Sequence, residues 1–236
     1  MAVDYFDSLL KEMQSLANLE KAKKLRSFFK TKKGEYAEGD VFLGIVVPEQ
    51  RKVAKRFFSF LSYSELKVLL DSKIHEERLV ALLILVQKYE KCREEREKIF
   101  QFYLASTRGI NNWDLVDLSA PKIIGDYLLD KNKKQLISLA KSSNLWERRI
   151  AIVSTWGFIK KGELQETIKI SKILLHDEHD LIHKAVGWML REMGKKDEKL
   201  LVSFLDKYFR VMPRTMLRYS IEKMPEDQRK KYLKRD

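Results

Sequence analysis

Three stretches of this chain carry one pattern, four positions recur at a near-constant interval, and that recurrence limits its possible folds more than any other feature. HEERLVALLILVQKY, NLWERRIAIVSTWGFIKK and HDLIHKAVGWMLREMGKK each set a basic residue in the first turns of a long apolar stripe and end on polar residues. Arg78, Trp113, Arg149 and Lys184 fall at intervals of 35, 36 and 35 residues. Such spacing is expected of tandem helical hairpins, in which each unit buries its apolar face against the next. It predicts an all-α chain folded as a single repeat domain over residues 1–236.

The rest of the sequence agrees. With 9 glycines and 4 prolines, the chain lacks the turn residues that a many-stranded fold needs. Residues 4–30 carry apolar positions at helical spacing. TKKGEYAEGD, residues 31–40, is the one clearly irregular segment; it looks inserted, and its role is open. Pro48 suits the first turn of the next helix, where its missing N–H costs nothing. Ser62 and Glu65 have the spacing of a capping box. Further helices are expected at about 76–90, 92–105, 112–129, 131–141, 146–161, 164–175, 180–195, 197–209, 213–223 and 225–234.

The net charge of +13 points to an anionic partner: nucleic acid, an anionic membrane surface or an acidic protein. Cys92 is the only cysteine, which excludes an internal disulfide and a thiolate metal cluster and fits a reducing cytoplasm. MAVDYFDSLL is unlike a secretory signal, and no apolar run approaches membrane-spanning length, so a soluble cytoplasmic protein is expected. There is no glycine-rich phosphate loop and no local Ser/His/Asp signature. HDEHDLIH, with His176, His179 and His183, has the look of a metal site, but neither metal nor cofactor is expected.

If the four spaced positions are equivalent, they share one face of successive helices, together with residues one turn later. Trp113, Asp117, Arg149 and Trp188 should then converge on one surface, the concave one in a curved solenoid. Singly, each has an ordinary reading: the tryptophans as core, Asp117 and Arg149 as solvated or paired charges. Together they suit cleavage of an N-glycosidic bond. A purine alkylated at N3 or N7 is a cationic leaving group, and its departure gives the sugar oxocarbenium character. A carboxylate such as Asp117 stabilises that charge and positions water. Tryptophan faces suit the electron-poor sugar and base. Arg149 would hold a phosphate or keep Asp117 ionised.

FLGIVVPEQRK (42–52), NNWDLVDLSAPKIIGDYL (111–128), SNLWERRIAIV (143–153) and HKAVGWMLRE (183–192) resemble, in order and spacing, segments of the AlkD-like DNA alkylation-repair glycosylases. The resemblance covers nearly the whole chain and is most specific at W-D-x-V-D and G-W-x-L-R-E. It implies a right-handed α-α superhelix of tandem HEAT-like helical hairpins. The implied activity is excision of cationic N3- and N7-alkylated purines, such as 3-methyladenine and 7-methylguanine, from double-stranded DNA without base flipping. By motif, the family's catalytic carboxylate falls on Asp117, its tryptophans on Trp113 and Trp188, and its arginine on Arg149 rather than Arg148. Phe28 stands where a characterised member has a tyrosine, which keeps the ring and loses a hydroxyl. The resemblance also implies a monomer.

Two other readings stay open: a catalytically silent DNA-binding relative, and a repeat scaffold for an acidic peptide. Lys and Arg concentrated on one edge would favour DNA. The candidates are Arg51, Lys52, Lys55, Arg78, Lys122, Arg148, Arg149, Lys184, Arg191 and Arg218.

Overall fold

The computed structural model describes residues 4–234; residues 1–3 and 235–236, the two ends of the expected domain, lie outside the described residues. Among the described residues the chain is all-α, with fourteen α-helices and, in place of any strand, one isolated bridge between Val41 and Ile74. None of these helices is long and apolar enough to cross a membrane. The chain divides into two compact units, residues 1–119 and 120–236.

The first unit contains α1 (Tyr5–Ser15), α2 (Leu19–Phe28), α3 (Val47–Phe57), α4 (Tyr63–Leu70), α5 (His75–Lys91) and α6 (Arg96–Ala105). It also holds nearly all of α7 (Trp113–Ala120). The continuous periodicity of residues 4–30 is broken into two helices. Asn18 ends the run because its side chain accepts from the Lys21 N–H at 2.9 Å and starts α2 afresh. Pro48 lies in the first turn of α3. The capping box of Ser62 and Glu65 forms as expected at the start of α4.

Helix α5 is the centre of this unit and packs on α3, α4 and α6. Twelve of its 17 residues are buried, so it is covered almost all round rather than on one stripe. Each fully buried Leu or Ile there contributes about 1.5–3 kcal/mol of transfer free energy.

The second unit holds α8 (Lys134–Ala140), α9 (Leu145–Lys160), α10 (Gln165–Ile173), α11 (Asp180–Gly194), α12 (Glu198–Tyr208), α13 (Arg214–Ser220) and α14 (Glu226–Leu233). Here α9 packs on α8, α10 and α11, and α11 on α12 and α13. The helix expected over 112–129 is not uniform. After Ala120 the chain makes a π-helical turn over Pro121–Gly125, where proline supplies no N–H and crowds the preceding turn. A side chain on Gly125 would meet the Ser154 carbonyl at 2.3 Å, so glycine permits α9 to approach this turn.

The recurrence in sequence has a structural counterpart at three helix starts. The side chains of Ser72, Ser142 and Asp177 accept from the N–H two residues on, at Ile74 (3.0 Å), Asn144 (3.0 Å) and His179 (2.9 Å). The carbonyls of the same three residues accept from Arg78 (2.8 Å), Arg148 (3.1 Å) and His183. Each clasp ties the first turn of α5, α9 or α11 to the loop before it. The repeating register therefore runs through Arg78, Arg148 and His183. Arg149 and Lys184, which the sequence aligned with Arg78, lie one residue further on.

Candidate active site

The first unit carries an apolar cavity of about 680 Å³. Its wall comes from Leu25, Phe28, Phe29, Phe42, Ile45, Val46, Val47, Pro48, Trp113 and Leu118, with Lys21 and Lys24 also on the lining. Asp117 lines the same cavity, half-buried, one turn after Trp113 on α7. Gln50, His75, Glu76 and Asp114 also line the cavity but are buried; the half-buried Asp117 carboxylate, in a largely apolar wall, is the chemically distinctive feature of this site. Asp117 also acts at a distance on the buried Tyr103 phenol: burial first, and the Asp117 charge besides, push that phenol well above its ordinary range. The Tyr103 hydroxyl is shared with Ser119 at 2.8 Å.

Trp113 is held on three sides. Its indole stacks on Phe29 (centroids 5.2 Å apart, planes at 20°) and meets the edge of Phe28 at 5.8 Å. Its indole N–H donates to the Tyr36 hydroxyl at 3.3 Å. Its backbone N–H donates to the Asn112 side chain at 2.8 Å, which anchors the start of α7. Phe28 itself is 63% exposed, so its ring is open to a ligand. The missing tyrosine hydroxyl at Phe28 has a counterpart nearby in Tyr36, which comes from the segment that looked like an insertion. That segment backs the wall: Ala37 is buried with Phe29, Phe42 and Ala22, and Tyr36 packs on them.

The FLGI turn is fixed from α5. The buried carboxylate of Glu76 accepts from the backbone N–H groups of Leu43 (3.0 Å), Gly44 (2.8 Å) and Ile45 (3.3 Å). Gly44 has φ +85°, and a Cβ there would lie 2.1 Å from the Asn18 carbonyl. Only glycine allows both the left-handed backbone and that approach.

The basic residues proposed from sequence fare differently. Arg51 and Lys55 are exposed on α3, and Lys52 is exposed in a pair with Glu49 at 2.8 Å. Lys122 and Arg218 are exposed as well. Arg78 is corrected: it is 3% exposed and bound to Asp40 at 2.7 Å, so it is a structural cation and not a surface one.

In the second unit, Arg148 is bound to Asp177 at 2.6 Å and to two loop carbonyls. Arg149 is buried, and its guanidinium donates to the Leu181 carbonyl at 2.6 Å. Lys184 pairs with Asp180 at 2.7 Å, and Arg191 with Glu222 and Glu192. Trp188 packs at a tilt on Trp156, with centroids 5.4 Å apart.

Of the histidines near 176–183, His179 and His183 serve helix α11. His179 Nδ1 accepts from the Leu181 N–H at 3.1 Å, and burial lowers its pKa, keeping it neutral for that role. His183 makes the clasp to Asp177. Among the described residues no group of three or more His, Cys, Asp or Glu side chains is arranged to hold a metal ion.

Sequence reasoning missed Tyr36, Phe29, His75, Asp40 and Asp114 as site-forming residues. The usable signal was the tyrosine in the glycine-containing segment and the acid immediately after Trp113.

The family described as DNA alkylation repair enzyme matches residues 9–224. Among solved structures, the chain is similar to one described as a predicted DNA alkylation repair enzyme from Enterococcus faecalis. The two are 20% identical, with a TM-score of 0.68 over 89% of this chain and 97% of that one. None of the curated proteins compared with the chain matches it.

Proposed function

Because the chain belongs to the DNA alkylation repair enzyme family, we propose that it is a DNA glycosylase releasing cationic N3- and N7-alkylated purines from duplex DNA without flipping the base. The observation that carries this reading is Asp117, half-buried one helical turn after Trp113, on a largely apolar and aromatic cavity. A plain phosphate-holding surface has no use for a carboxylate there.

In the proposed reaction the C1′–N bond breaks and its electron pair passes to the base, cancelling the positive charge the alkyl group gave it. The sugar gains oxocarbenium character, which Asp117 stabilises in a site of low dielectric. Water held by the same carboxylate adds to C1′ and gives its proton to bulk water, so that the products are the free neutral base and the sugar hydroxyl. Trp113, with Phe28 on its edge, presents ring faces to the cationic base and sugar. Arg149 and Trp188 join the assignment through the resemblance of their motifs. Exposed Arg51, Lys52 and Lys55 on α3, and Lys21 and Lys24 at the cavity, would take the duplex backbone. The protein would act as a cytoplasmic monomer without metal or cofactor.

The test is chromatographic release of free 3-methyladenine and 7-methylguanine from methylated duplex DNA. Release of either base is expected. Release of neither would sink the enzyme reading, and binding without release would promote the silent DNA-binding relative. Affinity should fall steeply with salt as phosphate counterions are released; a salt-insensitive complex would count against the basic surface.

A further inference from the structure

A buried charged cluster reaches the cavity lining through His75 and Asp114, and the chemistry above does not use it. His75, at the start of α5, is 2% exposed. Its imidazole is packed by Phe42 (centroids 4.8 Å, planes at 22°) and Phe29 (4.8 Å, 39°), and Phe29 in turn stacks on Trp113. Its Nε2 lies 2.9 Å from Asp114, the second residue of the helix that bears Trp113 and Asp117. Its Nδ1 lies 3.3 Å from Asp40, the last residue of the segment that bears Tyr36. Asp40 also binds Arg78 at 2.7 Å and receives the Asn112 side-chain amide at 3.4 Å. The two segments that His75 joins are thus the two that meet at the indole N–H of Trp113.

We propose that His75 is a positioning residue: through Asp114 and Asp40 it sets α7 in register with the Tyr36 segment, and so places Trp113 and Asp117 at the cavity. The assignment rests on the glycosylase reading only for what Trp113 and Asp117 then do; the registration itself belongs to the folded chain. Ionised carboxylates only accept hydrogen bonds, so a ring bridging two of them carries a proton on both nitrogens. The charged groups facing the ring are Asp40, Asp114 and Arg78, the last 3.5 Å from Nδ1. Glu76, its chain neighbour, is turned to the amides of residues 43–45. The imidazolium brings the cluster to neutrality, and its loss leaves one uncompensated buried negative charge. Burial alone would lower the pKa of His75, but the hydrogen bonds to Asp114 and Asp40 overcome it and raise the pKa to about 9.

The test follows the His75 imidazole and Trp113 indole resonances by NMR as pH rises from about 6 to about 10, in the wild type, His75→Gln and Asp114→Asn. The expected result is one imidazole titrating near pH 9, absent from His75→Gln, with the Trp113 indole resonance moving at the same midpoint. In Asp114→Asn both midpoints should fall together by roughly one pH unit or more. Ionisation of Tyr36 would also move the indole, but its midpoint would not follow Asp114→Asn.

A His75 that titrates at or below the ordinary histidine range, or a Trp113 indifferent to it, overturns the assignment. If His75→Gln does not fold, the wild type and Asp114→Asn decide the matter. Single-turnover base release separates the two readings. Asp114→Asn should slow release about tenfold or more with DNA affinity unchanged, as expected when a supporting group loosens a site by a fraction of an ångström. A wild type that releases no base while Trp113 still tracks His75 removes the glycosylase reading and leaves the positioning role. Release with an indifferent Trp113 does the reverse.

Discussion

Replacing Glu76 by glutamine tests whether a buried carboxylate holds the FLGI turn against α5. One oxygen of Glu76 accepts from Gly44 and Ile45, and the other from Leu43. The amide oxygen of glutamine can keep the first pair, but its NH₂ then faces the Leu43 N–H, donor to donor. One buried donor left unmade costs about 1–3 kcal/mol, and the two remaining bonds lose the strength that an ionised acceptor gave them. The sum is roughly 2–4 kcal/mol, a large share of a typical domain's 5–15 kcal/mol. With two compact units in the chain, a single global transition is an unsafe measure. Native-state hydrogen exchange of amides in α5 and the FLGI turn reads the first unit directly. Exchange should accelerate there, most at Leu43 relative to its wild-type protection. A loss under about 0.5 kcal/mol, the level of an ordinary surface substitution, would refute the reasoning.

Three further outcomes follow from the same region. The raised pKa of His75 makes stability pH-dependent: its contribution is complete below the ordinary value of 6.5 and fades as pH rises through about 9. The full contribution is on the order of 3 kcal/mol, and exchange protection of α5 at pH 7 and pH 10 measures it; equal protection at both would contradict the cluster. Gly44→Ala, at φ +85° and against the Asn18 carbonyl, should cost at least about 2 kcal/mol, read by the same exchange experiment. Tyr36→Phe should cost about 1 kcal/mol and shift the Trp113 indole resonance, since it removes the hydroxyl 3.3 Å from that N–H; an unmoved resonance would mean the bond is not made in solution.

The helices were legible because apolar spacing, scarce glycine and a capping pair are all local. The breaks were less so. Asn18 splits residues 4–30 without glycine or proline, and only its cap to Lys21 reveals the boundary. The recurrence at the three helix starts was legible in period and one residue out in register. Basic doublets at Arg148–Arg149 and His183–Lys184 offer two alignments, and the clasps to Ser142 and Asp177 choose the first of each. Trp113 and Asp117 were legible because one helical turn separates them. The support behind them was not. Asp40, His75 and Asp114 come from three segments, 35 and 39 residues apart in chain order. Arg78 read as a surface cation because its partner Asp40 lies in a segment that sequence alone treats as a loop.

The central claim is that Asp117 performs charge stabilisation in an N-glycosidic cleavage, and one comparison tests it most directly. Wild type and Asp117→Asn are mixed with the same methylated duplex, and bound DNA and released base are measured together under single-turnover conditions. Asp117→Asn should retain DNA binding and slow release on the order of a hundredfold or more, a loss of about 3 kcal/mol of transition-state stabilisation. Release by Asp117→Asn at the wild-type rate would contradict the claim.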